Sequence, residues 1–247
     1  ARFAVSAVVL GVIFYIVPLP RAYGLFTVSQ FFLAGLFAYL FIRVLGLRRL
    51  SALFGAIVYQ LSLFMVVSVV FQMIIAGAVW LPLILTAIEL VVRQQPAFGG
   101  RPATLPWLTL GAAALGVQIL AGHIEITYYT LLVAGGYSVW RLIGVWRAMP
   151  QGTILERTLI TLRRSTALLM IALLGVGLGA IQLVPLLDFV RYNFRSGSAT
   201  YEQIVKWAYP WRHVIAYLIP NFYGNPTHHG YFDLFSWQWI AATVNAK

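Results

Sequence analysis

The sequence predicts an all-α protein, a polytopic integral membrane helix bundle with about seven spans and an outward-facing loop that carries short interfacial helices. Of its 247 residues, 61% are hydrophobic and only 9% are charged, and the mean hydropathy is +0.86. Soluble domains carry roughly 25% charged residues. Apolar segments of helix length follow one another along most of the chain, which is typical of membrane spans.

The predicted spans are these apolar runs, since about 20 residues cross the hydrocarbon layer. Phe3–Val17 is short and is ended by prolines, so it is either a thin span or a re-entrant helix. The longer runs are Tyr23–Ile42, Leu50–Val67, Met73–Val92, Leu105–Leu120, Ile126–Trp146 and Thr166–Leu187. We therefore expect a transmembrane bundle over 1–187, an outward loop over 188–233 and the start of a further, truncated span over 234–247. The chain is expected to be an internal part of a longer protein.

Arginines mark one side of the membrane. Three lie in the Arg43–Arg49 connection and five within Arg141–Arg164, whereas Ser68–Gln72 and Ala121–Glu125 carry no Arg or Lys. By the positive-inside rule, the arginine-rich connections face the cytoplasm of a bacterial inner membrane and the 188–233 loop faces outward. These loops explain the formal charge of +11, so we expect no nucleic-acid partner.

Two residue types restrict the chemistry of the chain. It has no cysteine, which excludes disulfides, thiolate nucleophiles and iron–sulfur ligation within it. Its two lysines, Lys206 and Lys247, lie outside the predicted spans, which disfavours a retinal Schiff base.

Two patterns within the spans are interpreted as structural. Gly175 and Gly179 lie four residues apart, which indicates close helix packing rather than a phosphate loop. Glu89 precedes Arg93 by four residues and is interpreted as an ordinary helix pair without a role.

A first polar cluster lies between two spans. His123 and Glu125 lie two apart and are followed by Tyr128 and Tyr129. The pair is suited to binding a cation, relaying a proton or orienting a substrate hydroxyl. Side chains at this depth are also often only interfacial, with tyrosines in an aromatic belt. Both interpretations stay open.

A second cluster follows the last full span. Asp188, Arg191 and Arg195 share one side of a continuing helix. Two guanidinium groups in this arrangement suit a phosphate or pyrophosphate. The alternative is a local ion pair with lipid headgroup contact.

The outward loop is rich in aromatic and turn residues. Thr200 is placed to cap a short helix that begins at Tyr201 and Glu202, and Pro220–Gly224 is typical of a turn. Two adjacent histidines farther along match none of the usual zinc spacings, so no metal site is predicted.

In the order of its motifs, the chain resembles the YfhO-like bacterial membrane proteins of the GT-C glycosyltransferase superfamily. The blocks that carry this resemblance are Ser51–Gly55 to Leu61-Ser62 with Phe64-Met65, Trp80–Leu83, Gln118–His123 with Tyr128, Gln182–Pro185, Arg195, Tyr201-Glu202 and Pro220–Gly224. They extend over nearly the whole chain. One block departs from the family, which usually reads Gly-His-Pro-Gln where this chain has Gly122–Glu125.

The resemblance implies transfer of a sugar from a polyprenyl-phosphate donor to an acceptor on the outer side of the membrane. It implies no cofactor, although the superfamily allows a divalent cation. Its catalytic carboxylate belongs to a loop that would precede Ala1, so the catalytic residue is unknown here. The expected partners are membrane lipids and the lipid-linked sugar. The substrate-binding residues it implies are His123 and Glu125 near the sugar or acceptor, Asp188, Arg191 and Arg195 at the lipid phosphate, and Tyr201, Glu202, Asn221 and Tyr223 in an outward lid.

Two other classes compete with this interpretation. The first is a non-catalytic integral subunit of a larger membrane assembly, such as a respiratory or photosynthetic complex, and the Glu125 departure fits a copy without enzyme activity. The second is a transporter, which is disfavoured because deep polar residues are few, chiefly Gln60, Gln118 and Gln182.

Overall fold

The helices of the protein follow one another with short connections. A computed structural model describes residues 13–96, 103–149 and 153–191, together with 200–202, 205, 211, 214–215, 219, 222, 230–233 and 236–241. The helices are α1 (Ile13–Ile16), α2 (Leu19–Val44), α3 (Arg49–Gln60), α4 (Leu63–Val67), α5 (Gln72–Ala78), α6 (Leu81–Arg93), α7 (Leu105–Leu120), α8 (Ile124–Arg147) and α9 (Ile154–Arg191). A 3₁₀ turn at Ser68–Val70 follows α4, and two strands, β1 (Gly230–Asp233) and β2 (Gln238–Ala241), come last. The chain divides into two units, Ala1–Arg191 and Tyr192–Lys247, and the helices α1 to α9 belong to the first.

Four described segments are long and apolar enough to cross a membrane. They are Leu19–Val44, Arg49–Val70, Gln72–Arg93 and Ile154–Phe189. The prediction of a helical membrane protein is confirmed at this level. At 16 residues α7 is shorter than a span, α8 is not among the four, and most of Phe3–Val17 lies outside the described residues. The count of seven spans therefore stays a prediction.

Two predicted spans that were expected to be continuous are broken. Leu61 and Ser62 separate α3 from α4, and Val79 and Trp80 separate α5 from α6. At the first break the Ser62 hydroxyl accepts the Met65 N–H at 3.5 Å and caps α4. Serine competes in this way with the helical hydrogen bonds of the backbone, which explains why the helix restarts here.

The helices α7 and α9 make the most extensive contact of the bundle, and glycines make it close. A Cβ on Gly179 would lie 2.5–2.8 Å from atoms of Ile119, and a Cβ on Gly175 would lie 2.7–2.8 Å from atoms of Leu115. Gly116 gives the same room to α9. The interpretation of these glycines as packing residues is confirmed, and the close approach follows from small residues at a membrane helix interface.

Replacement of Gly179 by Ala should destabilise the bundle. The new methyl group would overlap the Cβ of Ile119, which cannot rotate away from the α7 backbone, and overpacking of this kind costs typically about 1–3 kcal/mol. Gly177→Ala is the matched control, because a Cβ there would have no described atom within 4 Å and Ala favours helix over Gly. Thermal unfolding in detergent should show a lower Tm for Gly179→Ala alone. Equal Tm values for the two variants would contradict the contact.

Gln238–Ala241, which lie within the further span expected over 234–247, form β2, and the further span itself stays a prediction. β1 and β2 pair antiparallel with Tyr231 opposite Ile240, and the chain reverses at a turn where Trp237 has φ 52°. Aromatic and β-branched residues favour paired strands. A short apolar run suits a strand as well as the start of a helix, and here the turn decides for the strand.

Candidate functional site

The connection between α7 and α8 is a tight turn that places His123 at the start of α8. Gly122 has φ +83°, a left-handed conformation that glycine adopts without strain. The Nδ1 of His123 accepts the Ile126 N–H at 3.4 Å and caps the helix. This bond orients the imidazole and leaves its Nε2 for other chemistry.

The first two turns of α8 expose a carboxylate and two phenol rings. Glu125 is exposed, and it lies where the helix dipole favours negative charge. Tyr128 and Tyr129 are each 58% exposed, with ring centroids 5.6 Å apart in an edge-to-face arrangement. Exposed tyrosines at a helix end are typical of a membrane interface.

Replacement of His123 by Ala should cost about 1 kcal/mol of stability, because the capping bond to Ile126 is lost. His123→Asn should restore most of it, since asparagine is a preferred capping residue without an imidazole. Unfolding of both variants in detergent measures this effect. Equal stability of the Ala and Asn variants would contradict the capping role, and an Asn variant that is stable but inactive would assign chemistry to the ring.

The second predicted cluster lies at the end of α9. This helix has 38 residues and is about 57 Å long, so it exceeds the ~30 Å hydrocarbon layer. Asp188 is exposed and lies three residues before Arg191, which ends the helix. The side chain of Arg191 and the whole of Arg195 lie outside the described residues.

The predicted outward lid belongs to the second unit. Tyr201 and Glu202 are helical and exposed, while Asn221 and Tyr223 lie outside the described residues. Thr200, the predicted cap of this helix, interacts with another group. Because Asn221 and Tyr223 are not described, the lid stays a prediction.

The structure brings the α7–α8 turn against α9. A Cβ on Gly122 would lie 3.9 Å from Nε2 of Gln182, and Asp188 follows Gln182 by six residues, about 9 Å along the helix. In the part of the chain that the structure describes, no hydrogen bond or ion pair joins His123 or Glu125 to Asp188. Among the described residues, Gln182 and Asp188 thus lie toward the same end of the bundle as His123.

The most strongly connected carboxylate of the described bundle is Glu89, for which the sequence predicted no role. Its side chain is completely buried. Arg93 Nε donates to Oε1 at 2.5 Å, and Arg141 donates from Nε to Oε2 at 2.6 Å and from Nη2 to Oε1 at 2.8 Å. The Tyr137 hydroxyl donates to Oε2 at 2.7 Å. The predicted pair with Arg93 is present, but it is one part of a network between α6 and α8, so the interpretation as an ordinary helix pair is corrected.

Aromatic rings surround this network and join a third helix to it. Phe41 of α2 lies 5.9 Å from Tyr137, and Tyr137 lies 5.7 Å from Trp140, between ring centroids. The Arg141 guanidinium carbon lies 5.6 Å from the centroid of Trp140, within cation–π distance. The ends of α2, α6 and α8 therefore meet at one end of the bundle, which is named the arginine-rich end.

Two polar side chains, those of Tyr59 and Gln118, donate hydrogen bonds to backbone carbonyls at the break between α5 and α6. Pro82 has no N–H for the Ala78 carbonyl, and the Tyr59 hydroxyl donates to that carbonyl instead, at 2.9 Å. Gln118 is fully buried, and its Nε2 donates to the Gly77 carbonyl at 3.0 Å. Within the described residues the amide oxygen of Gln118 has no hydrogen-bond partner. Gln118, one of the few deep polar residues noted in the sequence, thus supports an interrupted helix.

These features define a membrane protein with an apolar helical bundle, one end that carries a buried arginine–carboxylate network and an opposite end that carries the His123 turn. No protein-family profile, curated protein or solved structure matches the chain. Its function is therefore inferred from its residues and their arrangement.

Proposed function

We propose that this chain is part of a YfhO-like membrane glycosyltransferase of the GT-C kind, which moves a sugar from a polyprenyl-phosphate donor to an acceptor on the outer side of a bacterial inner membrane. The observation that carries the proposal is the gathering of polar groups at one end of the bundle. The His123 turn lies beside α9, where a Cβ on Gly122 would be 3.9 Å from Gln182 Nε2, and α9 continues to Asp188 and Arg191. This arrangement favours a site at the membrane edge over one at mid-depth.

The chemistry of these groups fits the transfer reaction. The leaving group is a lipid phosphate, whose charge two guanidinium groups stabilise as the sugar departs. We assign this role to Arg191 and Arg195. His123 Nε2 and Glu125 are assigned to the sugar or acceptor hydroxyls, because imidazole and carboxylate both bind hydroxyl groups. The catalytic carboxylate, which would act as the acid or base, is assigned to no residue of this chain.

The proposal requires a particular orientation, with seven spans and the arginine-rich end in the cytoplasm. Single cysteines in this cysteine-free chain test it. His213→Cys should react with a membrane-impermeant maleimide in intact cells, and Arg163→Cys should react only after the membrane is opened. The reverse pattern would contradict the orientation.

Activity is tested with the full-length native protein in proteoliposomes. A polyprenyl-phosphate donor with a radiolabelled sugar should release polyprenyl phosphate and label an acceptor fraction. Because the sugar is unknown, a panel of lipid-linked hexoses and amino sugars is assayed. No turnover with any member, in protein that is folded and correctly oriented, would contradict the proposal.

A second candidate function is that of a structural subunit in a larger membrane assembly, and the break between α3 and α4 favours it. Leu61 is 59% and Leu63 is 66% exposed beside the break. An interrupted helix at membrane depth needs cover from protein or water, which a neighbouring subunit would supply. Crosslinking from photoreactive groups at residues 61 and 63 in native membranes tests it. Adducts with another polypeptide would favour the subunit, and adducts with lipid alone would contradict it.

A further inference from the structure

The Glu89 network holds more positive than negative charge. One carboxylate receives two guanidinium groups, those of Arg93 and Arg141. Both arginines donate to the same atom, Oε1, at 2.5 and 2.8 Å. The network therefore retains one positive charge that Glu89 does not neutralise.

Several N–H groups of the two arginines are left over. A guanidinium group carries five N–H donors. Arg93 uses its Nε, and Arg141 uses its Nε and Nη2. Both Nη atoms of Arg93 and the Nη1 of Arg141 have no hydrogen-bond partner within the described residues. Unused donors on a partly buried cation favour an anionic ligand.

These donors lie on the outer side of the carboxylate. The Glu89 side chain is 0% exposed, whereas the side chains of Arg93 and Arg141 are 38% and 24% exposed. The carboxylate thus anchors the guanidinium groups from within, and a ligand can reach them from outside without displacing Glu89. Two fixed guanidinium forks match the paired oxygens of a phosphate group.

The depth of this site suits a phosphate at the membrane surface. Arg93 is the last residue of α6, and Trp140, beside Arg141, is 63% exposed. Trp and Tyr side chains concentrate at the headgroup level of a bilayer, and basic pockets between membrane helices bind phosphate headgroups.

We propose that Arg93 and Arg141, held by Glu89 and Tyr137, form a binding site for a phosphate group at the arginine-rich end of the bundle. The ligand chemistry is a phosphate ester, supplied either by an anionic lipid headgroup or by a soluble phosphate compound. The site is independent of the glycosyltransferase proposal. His123 lies 18 residues before Arg141, about 27 Å away along α8, so one site can fail while the other holds.

Native mass spectrometry of the full chain in detergent tests the proposal with dioleoylphosphatidylglycerol, dioleoylphosphatidylcholine and glycerol 1-phosphate as probes. Arg93→Gln removes the more exposed guanidinium and leaves the contacts of Glu89 with Arg141 and Tyr137 in place. Arg147→Gln is the control, since it removes the same charge from an exposed position in the last turn of α8. Arg93→Lys keeps the charge but loses the fork, and it replaces Arg93→Gln if that variant does not fold.

We expect the wild-type protein to retain phosphatidylglycerol about tenfold more strongly than phosphatidylcholine, and Arg93→Gln to lose most of this preference. Arg147→Gln should bind within about twofold of the wild type. Displacement of phosphatidylglycerol by glycerol 1-phosphate would support a soluble phosphate as the ligand, and resistance to it would support the lipid. Equal retention of the two lipids, or equal losses in the position 93 and position 147 variants, would overturn the proposal.

Discussion

Replacement of Glu89 by Ala should destabilise the protein more strongly than either Gly179→Ala or His123→Ala. The substitution leaves Arg93, Arg141 and the Tyr137 hydroxyl without their shared acceptor at a buried position. Loss of one partner from a buried ion pair typically costs about 3–5 kcal/mol. We expect a large fall in Tm and a lower yield of folded protein, measured by thermal unfolding and size-exclusion chromatography in detergent.

Two comparisons isolate the cause of this effect. Glu125→Ala removes an exposed carboxylate from the opposite end of α8 and should cost less than about 1 kcal/mol. The double variant Glu89→Ala with Arg141→Ala should be more stable than the sum of the single changes predicts, because it removes both members of the pair. Simple additivity of the two changes would contradict a direct Glu89–Arg141 interaction.

The simultaneous change of Arg191 and Arg195 to Ala should abolish use of a polyprenyl-phosphate donor if the proposed function holds. Removal of one preorganised donor to a developing oxyanion costs about 10²–10³-fold in rate. The loss of both guanidinium groups should therefore lower the rate below the detection limit of most assays. The readout is release of labelled polyprenyl phosphate in proteoliposomes, normalised to folded protein.

A matched double variant removes the same charge from the other end of the bundle. Arg147 and Arg163 are both exposed, and their joint replacement by Ala should leave the donor reaction within about twofold of the wild type. Unchanged turnover in the Arg191 and Arg195 variant would contradict the phosphate assignment. Equal losses in both double variants would point to an effect of net charge.

The parts of the fold that the sequence predicted depend on local pattern. Apolar run length marks Leu19–Val44 and Gln72–Arg93 as membrane helices, and the Gly175–Gly179 spacing marks the contact with α7. Both signals are contained within one helix, because apolar length determines whether a helix can span the bilayer and small residues allow close helix packing. The site residues at the His123 turn were also visible as polar groups in an apolar sequence, although the capping role of the histidine was not.

The parts that the sequence did not predict depend on distant residues. Glu89 and Arg93 are four apart and were noticed, but Arg141 lies 52 residues away on another helix. One signal was present, since Tyr137 and Arg141 are also four apart and form a facing polar pair on α8. The break at Pro82 was equally hidden, because proline is tolerated in membrane helices when partners elsewhere satisfy the freed carbonyl. Here Tyr59 of α3 donates to the freed Ala78 carbonyl, and Gln118 of α7 donates to the neighbouring Gly77 carbonyl.

The origin of these two donors sets an order for insertion during synthesis. Tyr59 precedes Ala78 in the chain, so its bond to the Ala78 carbonyl can form as soon as α5 enters the bilayer. Gln118 follows Gly77 by 41 residues, so the second bond must wait for α7. Until then the Gly77 carbonyl is only weakly paired within the hydrocarbon. A backbone group that is left unsatisfied there costs several kcal/mol. We therefore expect the helices from α3 to α7 to leave the translocation machinery as one group rather than singly.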